Sequence, residues 1–370
     1  MPQLSEPEIS ITAQNAAACP VCGSSGTELR YAACRDLLYP TPGEFSLRVC
    51  RACDAFFCYP QITPDQFDTY YPASYYPTAE QILHRQDARR LPNRVKFALL
   101  RQFWGAGHAE GLARAAVRHA LSVFPGFMQT APTFTGHGRL LEVGCSSGEK
   151  ICFLRHYGWQ PDGIEPSRDA SAEARKLGIN VQACSLEEAN LPAGYYDVIE
   201  LSHVFEHLSD PATCLAKLRD ALAPGGRILL TLPNAGSLGF KLFGRAWRGL
   251  EVPRHCAVYS RRPLAKLCLG LGLKVSRVRG LIAPEVIVGS VKFALREKRP
   301  RAAAGAAEAS LHRCGSGYHP EKRLKYLAGR AFRAALAAAL LPGTVLGMAE
   351  VIQVEIVHSP QAAKPEVVSC

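Results

Sequence analysis

No apolar run in this chain is long enough to cross a bilayer. The most hydrophobic late stretch, Ala334 to Met348, is interrupted by Pro342 and Gly343, short of the roughly 20 residues that a membrane helix needs. Near the start, Glu6, Pro7 and Glu8 break any leader-like core, so no cleavable signal is expected. Aromatic residues make up only 8% of the sequence. They do not interleave with basic residues as in an RNA-binding module, which puts nucleic acid last among the partners considered. Cysteine, by contrast, is not scarce. Fourteen of them are scattered through 370 residues, a distribution that argues against a secreted disulfide framework and for a reducing cytoplasm.

The most informative stretch is Leu140-Leu141-Glu142-Val143-Gly144-Cys145-Ser146-Ser147-Gly148. An apolar run ends in an acid and a turn of small residues, and Glu149 to Tyr157 then reads as a helix. A second apolar run ends at Ile164-Glu165-Pro166-Ser167, with Glu165 lying 17 positions beyond Gly148. This is the layout of a βαβ unit whose turn admits a nucleoside and whose second acid meets ribose hydroxyls. A dinucleotide site requires G-x-G-x-x-G, and here the small residues run Gly144-x-Ser146-x-Gly148. Glu142 would repel a pyrophosphate, yet it suits the amino group of a cationic, phosphate-free ligand.

At these residues the chain resembles the class I S-adenosylmethionine-dependent methyltransferases, whose first motif is an acid followed by three alternating glycines. Ser146 stands where the middle glycine would be. The resemblance runs from Arg139 to about Gly280. Gly178 to Ala183 reads as a third short strand, followed by Cys184-Ser185-Leu186. Tyr196 to Ser202 is a buried strand ending at His203-Val204-Phe205-Glu206-His207. Asp210-Pro211 opens a helix that ends near Leu222. Pro224-Gly225-Gly226 turns into a strand from Arg227 to Leu232, Ser260 caps a helix from Arg261 to Leu271, Lys274 to Val278 is a sixth strand, and Glu350 to His358 a last one. The resemblance implies an α/β fold, a doubly wound seven-stranded Rossmann-like sheet of order 3-2-1-4-5-7-6 with its last strand antiparallel. It also implies S-adenosylmethionine as cofactor, held by Glu142, Gly144, Cys145, Ser146 and Gly148. Glu165 and Pro166 would sit at the ribose, Ser185 and Leu186 at the adenine, and Ser202 and His203 at the methionine end.

His203-Val204-Phe205-Glu206-His207 is also an inverted zinc-protease pattern, H-x-x-E-H. That chemistry needs both histidines on one helical face, whereas this stretch follows a buried strand and a new helix starts at Asp210-Pro211. In the similar ubiquinone-biosynthesis O-methyltransferases, a Glu-x-x-Glu-His stretch at this place is associated with a divalent ion; here His203 replaces the first acid. Glu206 and His207 either face the substrate or cap the next helix. His255, on the loop after the fifth strand, and His207 are the candidate catalytic bases, since histidine suits proton removal at neutral pH.

Cys19-Pro20-Val21-Cys22 and Cys50-Arg51-Ala52-Cys53 are two C-x-x-C knuckles with 27 residues between them. Thiolates at this spacing chelate one ion tetrahedrally, so Cys19, Cys22, Cys50 and Cys53 are expected to hold a structural zinc, with a hairpin spanning Thr27 to Val49. A zinc ribbon followed by tyrosines resembles the start of sugar C-methyltransferases. Tyr70, Tyr71, Tyr75 and Tyr76 either pack ribbon against core or form a lid or sugar-stacking surface.

Charge is uneven. Gly138 to Asn234 holds nine Lys+Arg against thirteen Asp+Glu, so the flanks carry +15 of a net +11. This excess, much of it on a helical pattern from Arg85 to Phe127, is either a solvated face or a site for an anionic substrate, lipid phosphate or membrane headgroup. The expected organisation is a zinc ribbon at 1–62, an aromatic and basic helical linker at 63–133 and a methyltransferase core at 134–282. A helical insertion at 283–347, a final core strand at 348–358 and a disordered tail at 359–370 complete it. The expected activity is O- or C-methylation of a small molecule or a glycan or lipid precursor. The alternatives are an RNA or protein methyltransferase guided by the ribbon, and a non-catalytic binding protein.

Overall fold

A computed structural model describes residues 17–39, 41–62, 66–70, 76–107, 111–122, 127–297, 332, 335–344 and 346–360. Thr27–Cys34 (β1) and Phe45–Cys50 (β2) form an antiparallel hairpin, and Phe56–Tyr59 (β3) pairs with β2. Helices follow at Phe67–Tyr70 (α1), Ala79–Arg85 (α2), Leu91–Trp104 (α3), Leu112–Ser122 (α4) and Phe127–Thr130 (α5). Strands Arg139–Val143 (β4), Gln160–Ile164 (β5), Val181–Gln182 (β6), Tyr196–Ser202 (β7) and Leu222–Pro233 (β8) then alternate with helices Glu149–Arg155 (α6), Arg168–Lys176 (α7) and Pro211–Ala221 (α8). Leu238–Phe243 (α9), Ala257–Val258 (β9), Arg261–Gly270 (α10), Leu273–Leu281 (β10), Pro284–Glu297 (α11) and Val351–His358 (β11) complete the order.

The main sheet runs β10-β11-β8-β7-β4-β5-β6. Numbered by its own strands in chain order, this is 3-2-1-4-5-7-6. Only β11 is antiparallel to its neighbours. Both the order and the reversed strand agree with the expectation. Covered on both faces, β7 is buried along nearly its whole length, as parallel central strands are. The helices start where their caps dictate. Asp210 accepts the Thr213 N–H with Pro211 in the first turn of α8, and Ser167 accepts the Ala170 N–H for α7. Ser260 occupies the expected N-cap of α10, but its hydroxyl makes no cap bond.

Several boundaries differ from the sequence reading. The basic helical stretch is divided between α2, α3 and α4. Pro92 lies in the first turn of α3, and Gly105 ends that helix, where a Cβ would lie 2.6 Å from the Arg101 carbonyl oxygen. Part of the basic excess caps these ends, since Arg114 donates to the Gly105 carbonyl and Arg118 to that of Phe103. Pro224-Gly225-Gly226 does not precede β8 but lies inside it, absorbed by a register shift between Tyr196↔Leu222 and Val198↔Arg227. Tyr70 packs rather than projects: its ring meets Phe45 edge-on and its hydroxyl donates to the Pro42 carbonyl. Tyr71 and Tyr75, the insertion residues 298–331 and the tail 361–370 lie outside the described residues. Among the described residues, no helix is long and apolar enough to cross a membrane.

The cysteine-bearing hairpin is built into the core. One hydrophobic cluster includes Cys19, Val21, Cys50, Cys53 and Phe57 together with Leu141, Ile199, Phe205 and Tyr259. β3 pairs with β9, matching Phe56 to Val258 and Phe57 to Ala257, and Asn234 at the end of β8 bridges to Tyr259. Beside this junction, Asp36 and Arg254 form a buried bidentate ion pair at 2.6 and 3.0 Å. Asp36 also accepts the N–H groups of Leu38 and Tyr39 and the Thr41 hydroxyl, so its carboxylate is well supplied with donors. Removing one partner of such a pair leaves a buried charge. Arg254→Met is therefore expected to lower the unfolding free energy by about 3–5 kcal/mol, as read from denaturant unfolding monitored by circular dichroism.

Candidate functional site

The carboxyl ends of β6, β5, β4 and β7 lie side by side, and the turns that leave them form the site. Gly144 and Gly148 both have positive φ, at 68° and 84°. A Cβ on the first would lie 2.4 Å from Val204 Cγ2 and on the second 2.1 Å from Ile179 Cδ1, so only glycine fits either position. Ser146, in the place of the middle glycine, also adopts a left-handed conformation. Glu165 explains how it is held. One carboxylate oxygen accepts the Ser146 N–H at 2.8 Å and the other accepts the Ser167 N–H at 2.9 Å.

Glu142 and Glu200 are direct partners across β4 and β7. Both are buried. Lys150, in the first turns of α6, donates to Glu200 Oε1 at 2.6 Å. One ammonium thus serves two carboxylates, and Oε2 of each lacks a hydrogen-bond partner. Burial, opposed by Lys150 and reinforced by Glu200 and Glu165, pushes the Glu142 carboxyl up to about 8. Burial also raises that of Glu165, against its two backbone donors. A ligand with a positive charge fits this deficit, and a pyrophosphate would aggravate it.

Beyond β7, His203 sits at φ 56° and Phe205–His207 form one 3-10 turn. Glu206 is fully buried, with His203 Nδ1 at 3.3 Å and His255 Nε2 at 4.0 Å. His207 Nδ1 donates to the Arg254 carbonyl at 3.0 Å and His255 Nδ1 to the Gly249 carbonyl at 2.8 Å. Burial alone would raise the Glu206 carboxyl, but the His203 hydrogen bond and the surrounding imidazoles hold it down to about 2. Burial lowers His207 and His255 to about 4 each. On the far side of this loop the four knuckle cysteines converge, with Sγ atoms 3.7 Å apart for Cys19 and Cys53 and 3.6 Å for Cys22 and Cys50.

A family model described as a methyltransferase domain matches residues 113–278. The ubiquinone biosynthesis O-methyltransferase of Aromatoleum aromaticum is 30% identical over 159 residues, which cover 39% of this chain and 67% of that protein. Its counterpart in Aeromonas salmonicida is 29% identical over 156 residues, covering 39% and 66%. The chain belongs to the S-adenosylmethionine-dependent methyltransferases. Among solved structures, a Thermotoga maritima S-adenosylmethionine-dependent methyltransferase, described as a possible histamine N-methyltransferase, aligns with 75% of this chain and 99% of its own. Its sequence identity is 14% and its TM-score 0.39.

In this methyltransferase the sequence-selected residues fall into two groups. Gly144, Cys145, Ser146, Gly148, Glu165 and Pro166 lie on the turns after β4 and β5, and Glu142 lies within β4, one residue before its end. Ser185 and Leu186 follow β6, with Leu186 buried in the main core, and Ser202 and His203 end β7. His207 and His255 form the second group, their rings 4.7 Å apart. Lys150 escaped sequence reading, because nothing in its spacing points to Glu200, 50 residues on. Arg254 escaped for the same reason, its partner Asp36 being 218 residues away.

The raised Glu142 carboxyl makes the ligand-free enzyme pH-sensitive. A folded-state value near 8 against the ordinary 4.5 means that folding favours the protonated form. That contribution is present below 4.5 and lost as pH rises through about 8. We expect the ligand-free protein to lose denaturant resistance progressively from about pH 5 to about pH 8 and to level off above that, and Glu142→Gln to flatten this slope.

Proposed function

We propose that the enzyme binds S-adenosylmethionine over the β4–α6 turn and methylates an oxygen or carbon of a small molecule or of a glycan or lipid precursor. The observation that carries the cofactor placement is the single ammonium of Lys150 facing the two buried carboxylates Glu142 and Glu200. S-adenosylmethionine supplies an electrophilic methyl on a sulfonium and a second cation in its amino group, and it has no phosphate to be repelled. Oε2 of Glu142 is the acceptor for that amino group. Glu165 keeps lone pairs for the ribose hydroxyls while its two backbone bonds hold the Ser146 turn in shape. Ser185 and Leu186 flank the adenine, and the Ser202 and His203 backbone lines the methionine end.

The chain's remaining task is to align the acceptor with the S–CH₃ axis and keep water away. His255 and His207 stand where the loop after β8 meets the end of β7. Burial lowers both to about 4, so they are neutral at physiological pH, and the neighbouring Glu206 carboxylate is the group that favours their protonated form. The small-molecule reading is supported by the ubiquinone-biosynthesis O-methyltransferases, which act on such an acceptor by name.

The Cys19, Cys22, Cys50 and Cys53 thiolates hold a zinc ion in this proposal. A tetrahedron with Zn–S bonds of about 2.3 Å has edges of about 3.8 Å, close to the observed sulfur separations. With four sulfur donors, such a zinc has no open position and its role is structural.

Two measurements test this. Isothermal titration of S-adenosylmethionine should show affinity reduced by about 10- to 100-fold in Glu165→Gln, the loss of a charged hydrogen-bond acceptor; unchanged affinity would remove the ribose from that residue. Elemental analysis should find zinc in the purified enzyme, and Cys22→Ser should release it with loss of thermal stability.

A further inference from the structure

We infer that Lys150 and Glu200 complete the site for the cofactor's amino group, and that this group enters by displacing a proton to solvent; this rests on the cofactor placement proposed above. Glu142 in β4 and Glu200 in β7 are direct partners across neighbouring strands, and Glu165 follows the next strand, β5. Glu200 is fully buried and Glu142 nearly so, at 0% and 4% exposure. The Lys150 ammonium donates to Glu200 Oε1 at 2.6 Å. It thereby neutralises Glu200 rather than Glu142, whose Oε2 is buried without a donor. Such acceptors are rare in folded proteins, and an anion there is costly until a cation arrives.

No other neighbour supplies that cation. Among the described residues, Lys150 is the one positive group that favours the Glu142 carboxylate, while Glu200 and Glu165 oppose it. Cys145, Cys152 and Tyr157 also face Glu142, and burial pushes all three up, so they are neutral. Arg227 on β8 faces Glu200 but donates to the Thr133 carbonyl and hydroxyl. His203, at the end of β7, faces Lys150 and is turned onto Glu206. With its carboxyl at about 8, Glu142 carries a proton at neutral pH in the ligand-free enzyme.

The exchange balances without a co-reactant. The Glu142 O–H bond breaks, the proton leaves to water, and the carboxylate accepts N–H hydrogen bonds from the incoming ammonium. Lys150 stays on Glu200 throughout. That ion pair keeps the protein from satisfying Glu142 in advance, so a nucleoside without an amino group leaves the proton where it was. Because the ligand binds the ionised carboxyl, its affinity falls as pH drops below the ligand-free value.

Calorimetric titration of the full-length protein with S-adenosylmethionine, in buffers of different ionisation enthalpy, counts the protons. About one should be released per nucleoside bound at pH 6, with the count declining as pH passes about 8. Affinity at pH 6 should be on the order of 30-fold weaker than at pH 8. S-adenosylhomocysteine, which keeps the amino group and lacks the sulfonium, should release the same proton. Glu200→Gln frees Lys150 to pair with Glu142 before the ligand arrives, so the count at pH 6 should fall toward zero and the affinity profile flatten. A role confined to packing would not move that count. His203→Gln should keep the parental value. Binding with no proton released at pH 6, or a Glu200→Gln variant with the parental count, would overturn the inference and leave the cofactor placement standing. A protein that binds neither nucleoside defeats the proposed function and this inference with it.

Discussion

The buried pair of Asp36 and Arg254 holds together two parts of the molecule that the chain keeps 218 residues apart. Its bidentate geometry, with further donors to Asp36 from two backbone amides and a threonine, offsets the cost of removing both charges from water. Three things depend on it. The backbone of Arg254 orients the His207 ring, the residue that follows is His255, and two residues further on the strand β9 joins the sheet of the cysteine hairpin. The cysteine module therefore packs against the segment that carries His255. A tetrahedral ion among Cys19, Cys22, Cys50 and Cys53 would stiffen the strand partner of the loop that carries His255.

The other end of the site is governed by charge. Glu142 and Glu200 share one ammonium near the carboxyl ends of adjacent strands, and Glu165 adds its charge to the Glu142 side. Like charges at such separation do not all ionise in a dry environment. The raised carboxyl of Glu142 is the result, and a cationic ligand relieves it. The same arithmetic separates this turn from a dinucleotide turn, which needs a helix N-terminus without neighbouring acids. The proposed preference for a phosphate-free nucleoside would rest on side-chain charge as much as on the spacing of small residues.

Much of this was legible in the chain. The acid–turn–acid unit and the Asp210-Pro211 helix start are written in local patterns of apolar residues, glycine and caps, whereas the sheet order and the reversed last strand came from the family resemblance. The two cysteine knuckles are local as well, because chelation from a tight turn demands short spacing. The reading was weaker where local and tertiary demands differ. Pro224-Gly225-Gly226 looks like a turn before a strand and is instead a bulge within β8, because pairing with β7 continues on both sides of it. Ser260 has the residue type of a cap and no cap bond. The positive charges of Arg114 and Arg118 read as a solvated or ligand-binding face, and both serve the carbonyls that end α3.

By itself, then, the sequence determined the strands, the small-residue turn after β4 and the residue types at its edges, since hydrophobic period, glycine and acid placement act over a few residues. Tertiary structure alone decided that Lys150 answers Glu200, that His255 reaches Glu206, and that Asp36 clamps Arg254. Each of these contacts joins segments dozens or hundreds of residues apart. Whether such charges are paired, starved of a partner or tuned in pKa depends on the burial that only the packed fold creates.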